Sequence, residues 1–397
     1  MKFIKDVFFN VLAQAMFIAV QQLILFPVFE KNLGQKEFGW FLLIYGVFNV
    51  ITVTIATSFT NLYQKKFSTF LNSFKKVNEY YVFYKIMIVY IGIFCIIGII
   101  GAFVFKLGFI IYLLLMLLII FTTSRMFLIV WYRVHKNFTK ILLINSVLSL
   151  LYAFLYIVNI TTITQILLFF VVIEILINGL VYLICKIRIK DLIKSKNLNF
   201  AHADLNFLMI SGFAGSLLNY VDRFIITALL GASSVTIFYV ATLPTKLMLF
   251  PFNMLSSVVL SYLASSEKLK RSLKIKILIS LPFILLIVFI STYYIGIVLI
   301  QFLYKQYLND ITHIYSIVTI TFGLICLDSI LRSFLLKFYS IGRKTILDVI
   351  TLIVFVLLSI IFVFYFKSIV SIAVAQLLTY TLKVLVEVII LSRLEVE

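Results

Sequence analysis

Long apolar runs, separated by short polar connections, follow one another along almost the whole chain. Most runs reach the ~20 residues that a helix needs to cross ~30 Å of hydrocarbon. The pattern therefore predicts about twelve membrane-spanning helices and leaves no room for a large soluble domain. The predicted spans are residues 7–29, 38–62, 82–105, 109–131, 141–159, 163–185, 205–230, 236–264, 277–303, 311–336, 346–366 and 368–391.

The composition agrees with this pattern. Of 397 residues, 63% are hydrophobic and 12% are charged, and the mean hydropathy is +1.17. A soluble domain is about half apolar and a quarter charged. A soluble enzyme, a disordered chain and a nucleic-acid-binding domain are therefore excluded, and the expected fold class is an all-α polytopic membrane protein. The sequence has no P-loop and no metal-ligand spacing, so no catalytic residue, metal or cofactor is expected.

The net charge is +19, and its distribution predicts an orientation. Both termini and every second connection together carry 23 Lys and Arg, whereas the alternate connections carry 5. The positive-inside rule then predicts that both termini are cytoplasmic. In this interpretation, loop residues such as Arg133 and Lys344 serve topology and contact with anionic lipid headgroups, not nucleic acid.

A short motif occurs twice, which indicates an internal duplication. Leu33-Gly34 and Leu230-Gly231 lie 197 residues apart, and each opens a short polar link before another apolar run. The predicted lobes are residues 1–185 and 205–397, with a basic cytoplasmic linker at 186–204. Six spans in each lobe would give both lobes the same orientation, with a substrate path between them near mid-membrane.

Ionisable residues inside the predicted spans are the candidates for a functional site. Each costs several kcal/mol if it faces lipid, so it should face a cavity or a partner. Cations exceed anions, which favours a cavity that attracts a phosphate or an acidic sugar. The candidate cavity cations are Arg125, Arg223, Lys246 and Arg332, and the candidate coupling or pairing acids are Glu174, Asp222 and Asp328.

Some of these residues also have a purely structural interpretation. Asp328 and Arg332 are four residues apart on one predicted helix, as are Lys383 and Glu387. Opposite charges at this spacing can pair along one helix face.

Several short motifs resemble those of a known family. Leu25-Phe26-Pro27, followed by Leu33-Gly34 and Phe38-Gly39, is similar to the first-hairpin pattern of the bacterial O-antigen flippases. These proteins are polysaccharide transporters of the multidrug/oligosaccharidyl-lipid/polysaccharide exporter (MOP) superfamily. The segment from Asp222-Arg223 through Leu230-Gly231 to Tyr239-Val240-Ala241 looks like the family's seventh and eighth spans.

Two further segments resemble the same family in part. Trp131-Tyr132 with Lys136 is similar to the family's fourth-loop segment, although the usual Gln-Gly is here Arg133-Val134. Gly342-Arg343-Lys344 resembles the turn in the tenth loop. With the span count, the likeness extends over nearly the whole chain.

The resemblance implies a flippase for an undecaprenyl-diphosphate-linked oligosaccharide, the repeat unit of an O-antigen or capsule. It implies two six-helix lobes in a V-shaped MATE-like fold that opens alternately to the two sides, with a cationic cavity and no enzymatic activity. The expected location is the bacterial inner membrane. The expected partners are the lipid-linked substrate, membrane lipids, and the polymerase and chain-length regulator of the same pathway.

Two other function classes stay open. An O-antigen polymerase has similar size and basicity, but it is expected to carry large periplasmic loops, which are short here. A cation-coupled drug exporter of the same fold usually has buried acids in the N-terminal lobe, and Glu174 keeps that alternative open. The sequence does not identify the sugar, the coupling ion or the oligomeric state.

Overall fold

A computed structural model describes residues 12, 15–67, 73–104, 108–135, 137–185, 202–263, 271–339 and 341–393. Within these ranges every regular element is helical. A π-helical segment, Val20–Leu25, runs directly into the first α-helix, and a 3₁₀ turn, Lys305–Tyr307, precedes the twelfth. The α-helices are α1 (Phe26–Leu33), α2 (Gln35–Lys66), α3 (Ser73–Val104), α4 (Phe109–Leu128), α5 (Val130–Val134), α6 (Phe138–Phe154), α7 (Ile163–Cys185), α8 (His202–Leu218), α9 (Val221–Leu230), α10 (Ala232–Leu263), α11 (Arg271–Leu303), α12 (Leu308–Phe338), α13 (Ile341–Phe366) and α14 (Ile369–Arg393).

The described helices confirm the all-α polytopic prediction. Nine are long and apolar enough to cross a membrane, and the bent pair α8–α9 raises the number to ten if it is one span. The fifth predicted span falls on α6, which is apolar but has only 17 residues. The first predicted span, 7–29, lies partly outside the described residues.

The chain divides into two compact units, Met1–Tyr220 and Val221–Glu397. Helix α8 packs on α2 and so belongs to the first unit. The contact boundary therefore follows α8, whereas the lobe boundary proposed from the sequence precedes it. The lobes 1–185 and 205–397 stay a prediction, and most of the linker 186–204 lies outside the described residues.

The N-terminal unit is built around α2 and α4, which are its most buried helices. About 72% of the apolar window is buried in each of them, against 22% in α3, whose apolar side chains face outward as lipid-facing residues do. The junction of α1 and α2 is packed with aromatic rings. Phe26, Phe38 and Phe41 are fully buried there, and Phe26 meets Phe41 and Tyr45 edge-on with ring centroids 5.3 Å apart.

The C-terminal unit is organised around α12, which packs on α10, α11 and α14. Its apolar core includes Leu327, Leu331 and Phe334 of α12 and Val384 of α14. The windows of α11 and α13 are only 22% buried, so these two helices have the character of lipid-facing helices. Candidate charged residues thus lie on buried helices in both units, Arg125 on α4 and Asp328 on α12.

The two glycines of the repeated motif both have a positive φ angle. Gly34, between α1 and α2, has φ 78°, and Gly231, between α9 and α10, has φ 89°. An L-residue pays roughly 1–2 kcal/mol in this left-handed region, whereas glycine does not. Each Leu-Gly pair therefore ends one helix and permits the next to begin at once.

Candidate functional site

A cavity of about 480 Å³ lies inside the N-terminal unit. Helix α2 contributes one continuous face to it, because the lining positions recur every three or four residues and so share one side of a helix. Most of the side chains on this face are polar. They are Tyr45, Asn49, Thr52, Thr57, Thr60 and Asn61.

A second wall comes from α4 and α5, again at helical spacing. It presents Thr122, Arg125, Ile129 and Arg133 to the cavity. Arg125 and Arg133 are eight residues apart, which is about 12 Å along a helix at 1.5 Å per residue. The two arginines therefore lie at different positions along the wall of the cavity.

Arg125 forms a bidentate ion pair with Glu174 of α7. Its Nε lies 2.7 Å from Oε2 and its Nη2 lies 2.9 Å from Oε1. Both residues are buried, with 6% and 1% of their surface exposed. Two parallel charge-assisted hydrogen bonds are the strongest form of this pairing. The structure thus brings two predicted site residues together, and the carboxylate neutralises the charge of Arg125.

The surroundings of the pair are polar and aromatic. Tyr45 donates its hydroxyl hydrogen to Oε1 of Gln21 at 2.6 Å, and both residues line the cavity. Tyr152 and Phe170 lie on the same lining, with ring centroids 4.8 Å apart. Aromatic faces combined with amide and hydroxyl groups suit a ligand that has both apolar and polar parts.

Three polar atoms of the lining have no hydrogen-bond partner within the described residues, although they are buried. They are Oγ1 of Thr52, Oγ1 of Thr122 and Nε of Arg133. An unsatisfied buried polar group costs about 1–3 kcal/mol. Water or a bound ligand in the cavity would remove that cost.

The C-terminal candidates belong to the second compact unit. Within the second unit, Nζ of Lys246 is 4.0 Å from Oδ2 of Asp222. Arg223 places its guanidinium 5.7 Å from the centroid of the Tyr239 ring. The lysine and the aspartate therefore approach each other across α9 and α10, while the arginine lies over an aromatic face.

A five-residue network of charges, which we call the C-terminal network, joins α12, α13 and α14. Lys344 contacts Glu387 at 2.7 Å and Asp348 at 2.9 Å. Lys383 contacts Asp328 at 2.9 Å and Asp348 at 3.1 Å. Lys344 is 2% exposed and Glu387 is fully buried. Asp328 thus has two lysine partners, because Lys344 also lies 3.8 Å away.

These contacts correct the pairing expected along single helices. Asp328 pairs with Lys383 rather than with Arg332, and Glu387 pairs with Lys344 rather than with Lys383. Arg332 is exposed and is not among the residues that line the N-terminal cavity. The role of the predicted cations in substrate binding stays a prediction.

Two functional candidates were missed because they were assigned to connections. Lys344 lies inside α13 and is buried, and Arg133 lies in α5 and lines the cavity. A signal for the cavity wall was nevertheless present in the sequence. Asn49, Thr52 and Thr57 interrupt an apolar span at helical spacing, which is the pattern of a polar helix face.

The chain matches no protein-family model and no curated protein sequence. It is similar in structure to an inward-facing multidrug resistance MATE family transporter of the MOP superfamily, with TM-score 0.62 and 12% identity over 98% of this chain and 94% of that one. It is similar to the lipid II flippase MurJ in an inward closed conformation, with TM-score 0.60 and 15% identity over 98% and 86%. The Vibrio cholerae MATE transporter VcmN in its bent form gives 0.61 and 14% over 98% and 96%. These likenesses confirm the MATE-like polytopic fold.

Proposed function

We propose that the protein is a flippase that moves a lipid-linked oligosaccharide, carried on undecaprenyl diphosphate, across the bacterial inner membrane by alternating access. The observation that carries the proposal is the charge of the N-terminal cavity. Among the residues that the structure describes, the charged members of its lining are Arg125, Arg133 and Glu174, which give a formal charge of +1. A cavity of this kind attracts anions.

The remainder of the lining fits an amphipathic anion. A diphosphate that enters a low-dielectric region must exchange its hydration for fixed charge and hydrogen bonds. On α2, Asn49 and Asn61 offer amide groups, and Thr52 and Thr60 offer hydroxyl groups. The hydroxyl of Thr57 already donates to the carbonyl oxygen of Val53. Tyr45, Tyr152 and Phe170 offer the flat surfaces on which sugar rings pack in binding sites. The fold shared with a lipid II flippase supports the proposal by analogy only.

A drug exporter is the second candidate, and one observation favours it. Glu174 is a buried acid that lines the N-terminal cavity, as expected of an exporter of organic cations. Its two oxygens, however, are both engaged by Arg125. An organic cation would have to displace this arginine and leave it unpaired, which makes the anionic substrate the better match.

Deletion of the gene tests the proposal. Surface polysaccharide should disappear, and single lipid-linked repeats should accumulate in the cytoplasmic leaflet. A membrane-impermeant oxidant of sugar diols locates them, because it should modify the repeats in inverted vesicles and spare them in right-side-out vesicles. Plasmid-borne wild-type protein should restore export, and so should the matched surface variant Arg271→Ala, since Arg271 is exposed.

The same experiment separates the alternatives. Repeats that accumulate in the outer leaflet would indicate a polymerase. Unchanged polysaccharide together with increased sensitivity to cationic dyes would indicate a drug exporter. Either result would overturn the flippase proposal.

A further inference from the structure

We propose that Arg133, and not the more deeply paired Arg125, is the residue that receives the phosphoryl group of a lipid-borne ligand in the N-terminal cavity. The inference deepens the proposed function and rests on it for the identity of the ligand. The binding chemistry can be tested on its own.

The charges of the lining lead to this assignment. Arg125 and Glu174 cancel each other through two short hydrogen bonds. Arg133 forms no ion pair with a carboxylate in the part of the chain that the structure describes. The net positive charge of the described lining therefore belongs to Arg133.

The hydrogen-bonding capacity of the two arginines also favours Arg133 over Arg125 as the phosphoryl site. Glu174 already occupies Nε and Nη2 of Arg125. A phosphate that took their place would leave a carboxylate that is 1% exposed without its partner, and breaking a buried ion pair is strongly destabilising. Nε of Arg133 is buried, lacks a partner among the described residues and belongs to a side chain that lines the cavity. The guanidinium group of Arg133 can therefore bind a phosphate oxygen without breaking an ion pair.

The position of Arg133 along the helix predicts the side of the membrane from which a ligand would reach it. It lies two helical turns beyond Arg125, at the end of the wall formed by α4 and α5. The positive-inside pattern predicts that this end faces the cytoplasm. A phosphoryl group that enters from the cytoplasmic leaflet would then meet Arg133 before it reaches the Arg125–Glu174 pair. Asn61 of the same lining is exposed, so the cavity has an open edge.

Two lipids could supply this chemistry, a prenyl diphosphate and an anionic phospholipid. The test uses the full-length protein in phosphatidylcholine nanodiscs, titrated with farnesyl diphosphate and, in parallel, with farnesol. We expect Arg133→Gln to weaken the binding of farnesyl diphosphate about tenfold or more, the effect of losing a charge-assisted hydrogen bond, and to leave farnesol unaffected. Arg133→Lys should retain part of the affinity. Arg271→Gln is the matched control and should bind like the wild type.

The outcomes distinguish a prenyl diphosphate from a phospholipid as the ligand, and they distinguish a failure of the phosphoryl site from a failure of the flippase proposal. If added phosphatidylglycerol displaces farnesyl diphosphate, the site accepts phospholipid headgroups as well; if it does not, the site selects the prenyl diphosphate. The inference is overturned if Arg133→Gln, with an unchanged melting temperature, binds farnesyl diphosphate like the wild type, or if the double variant Arg125→Gln/Glu174→Gln, which removes the pair and keeps the net charge of the lining, abolishes binding while Arg133 is intact. Should Arg133 prove necessary for binding while the deletion strain exports polysaccharide normally, the flippase proposal fails and the phosphoryl site stands.

Discussion

The two units differ in how they surround their buried charges. In the N-terminal unit the Arg125–Glu174 pair lies on the wall of a cavity, beside polar atoms that have no partner among the described residues. In the C-terminal unit, two lysines and three acids pair with one another across three helices, with a formal charge of −1. A buried pair next to a cavity can be hydrated or can meet a ligand, whereas charges that only meet one another mainly fix helices. From this comparison we expect the first arrangement to take part in ligand binding and the second to contribute to stability.

The largest loss of stability should follow a break in the C-terminal network. Lys344→Met leaves Glu387 buried without its 2.7 Å partner, which we expect to cost about 3–5 kcal/mol. The variant should have a much lower melting temperature in detergent and should accumulate poorly in the membrane. Adding Glu387→Gln should restore part of the stability, because it removes the unpaired charge.

Lys276→Met is the matched control, since Lys276 is exposed at the start of α11. It should melt like the wild type. A wild-type melting temperature for Lys344→Met would show that the network does not hold α12, α13 and α14 together.

Arg125→Ala should instead abolish export at a smaller loss of stability. Loss of the Arg125 side chain opens space in which water can hydrate the freed carboxylate of Glu174 at the cavity wall, so we expect a smaller cost than in the C-terminal network. The substitution also lowers the formal charge of the described lining from +1 to zero, which weakens the attraction for an anionic substrate. Arg125→Lys should keep part of the export, because lysine retains the charge but not the bidentate fork. Surface polysaccharide and melting temperature, measured on the same variants, separate the two effects. If Arg125→Ala exports normally, or melts as low as Lys344→Met, the contrast between the units is lost.

Replacing the two motif glycines tests whether the units share a structural device. Gly34→Ala and Gly231→Ala should each lower the free energy of unfolding by about 1 kcal/mol, because both have positive φ. Gly92→Ala is the control. Gly92 lies inside α3 with nothing within 4 Å of an added Cβ, so this change should be neutral or slightly stabilising. Melting temperatures of the three variants give the comparison, and a clear effect at only one motif glycine would argue against an equivalent role.

Arg332→Gln should have the smallest effect. Its side chain is exposed, and surface substitutions usually change the free energy of unfolding by less than about 0.5 kcal/mol. Because Arg332 does not line the N-terminal cavity, we expect export to fall less than in Arg125→Ala. A complete loss of export at an unchanged melting temperature would place Arg332 in the substrate path after all.

The sequence predicted the helices well because each membrane span needs a long apolar run, which is a local property. It predicted pairs less well because a charged residue reveals neither the rotation of its helix nor the helix that packs against it. Asp328 and Arg332 have good spacing for pairing along α12, yet Asp328 meets lysines of α13 and α14. Lys344 was assigned to a connection because a helix boundary is uncertain by several residues, and here a few residues separate a loop cation from a buried one.

Glu174 shows the same limit in the N-terminal unit. Its position inside a span predicted that it faces a cavity or a partner, and it does both: it lines the cavity, and its partner, Arg125, is 49 residues away on another helix. Only the packing of α4 against α7 brings them together. The polar face of α2, in contrast, could have been predicted from spacing alone, because all of its members lie on one helix.

The π-helical segment Val20–Leu25 determines how the side chains that precede it are rotated about the helix axis. A π turn holds one residue more than an α turn, so a continuous α-helical wheel is out of phase by about 100° on the far side of the segment. Phe17, which meets Tyr152 edge-on at 5.3 Å, lies on that far side. Deletion of a single residue within the segment would let the backbone relax to an ordinary α-helix while turning Phe17 away from Tyr152. The extra residue therefore rotates the preceding side chains about the helix axis, so that Phe17 faces the cavity without any change in its identity.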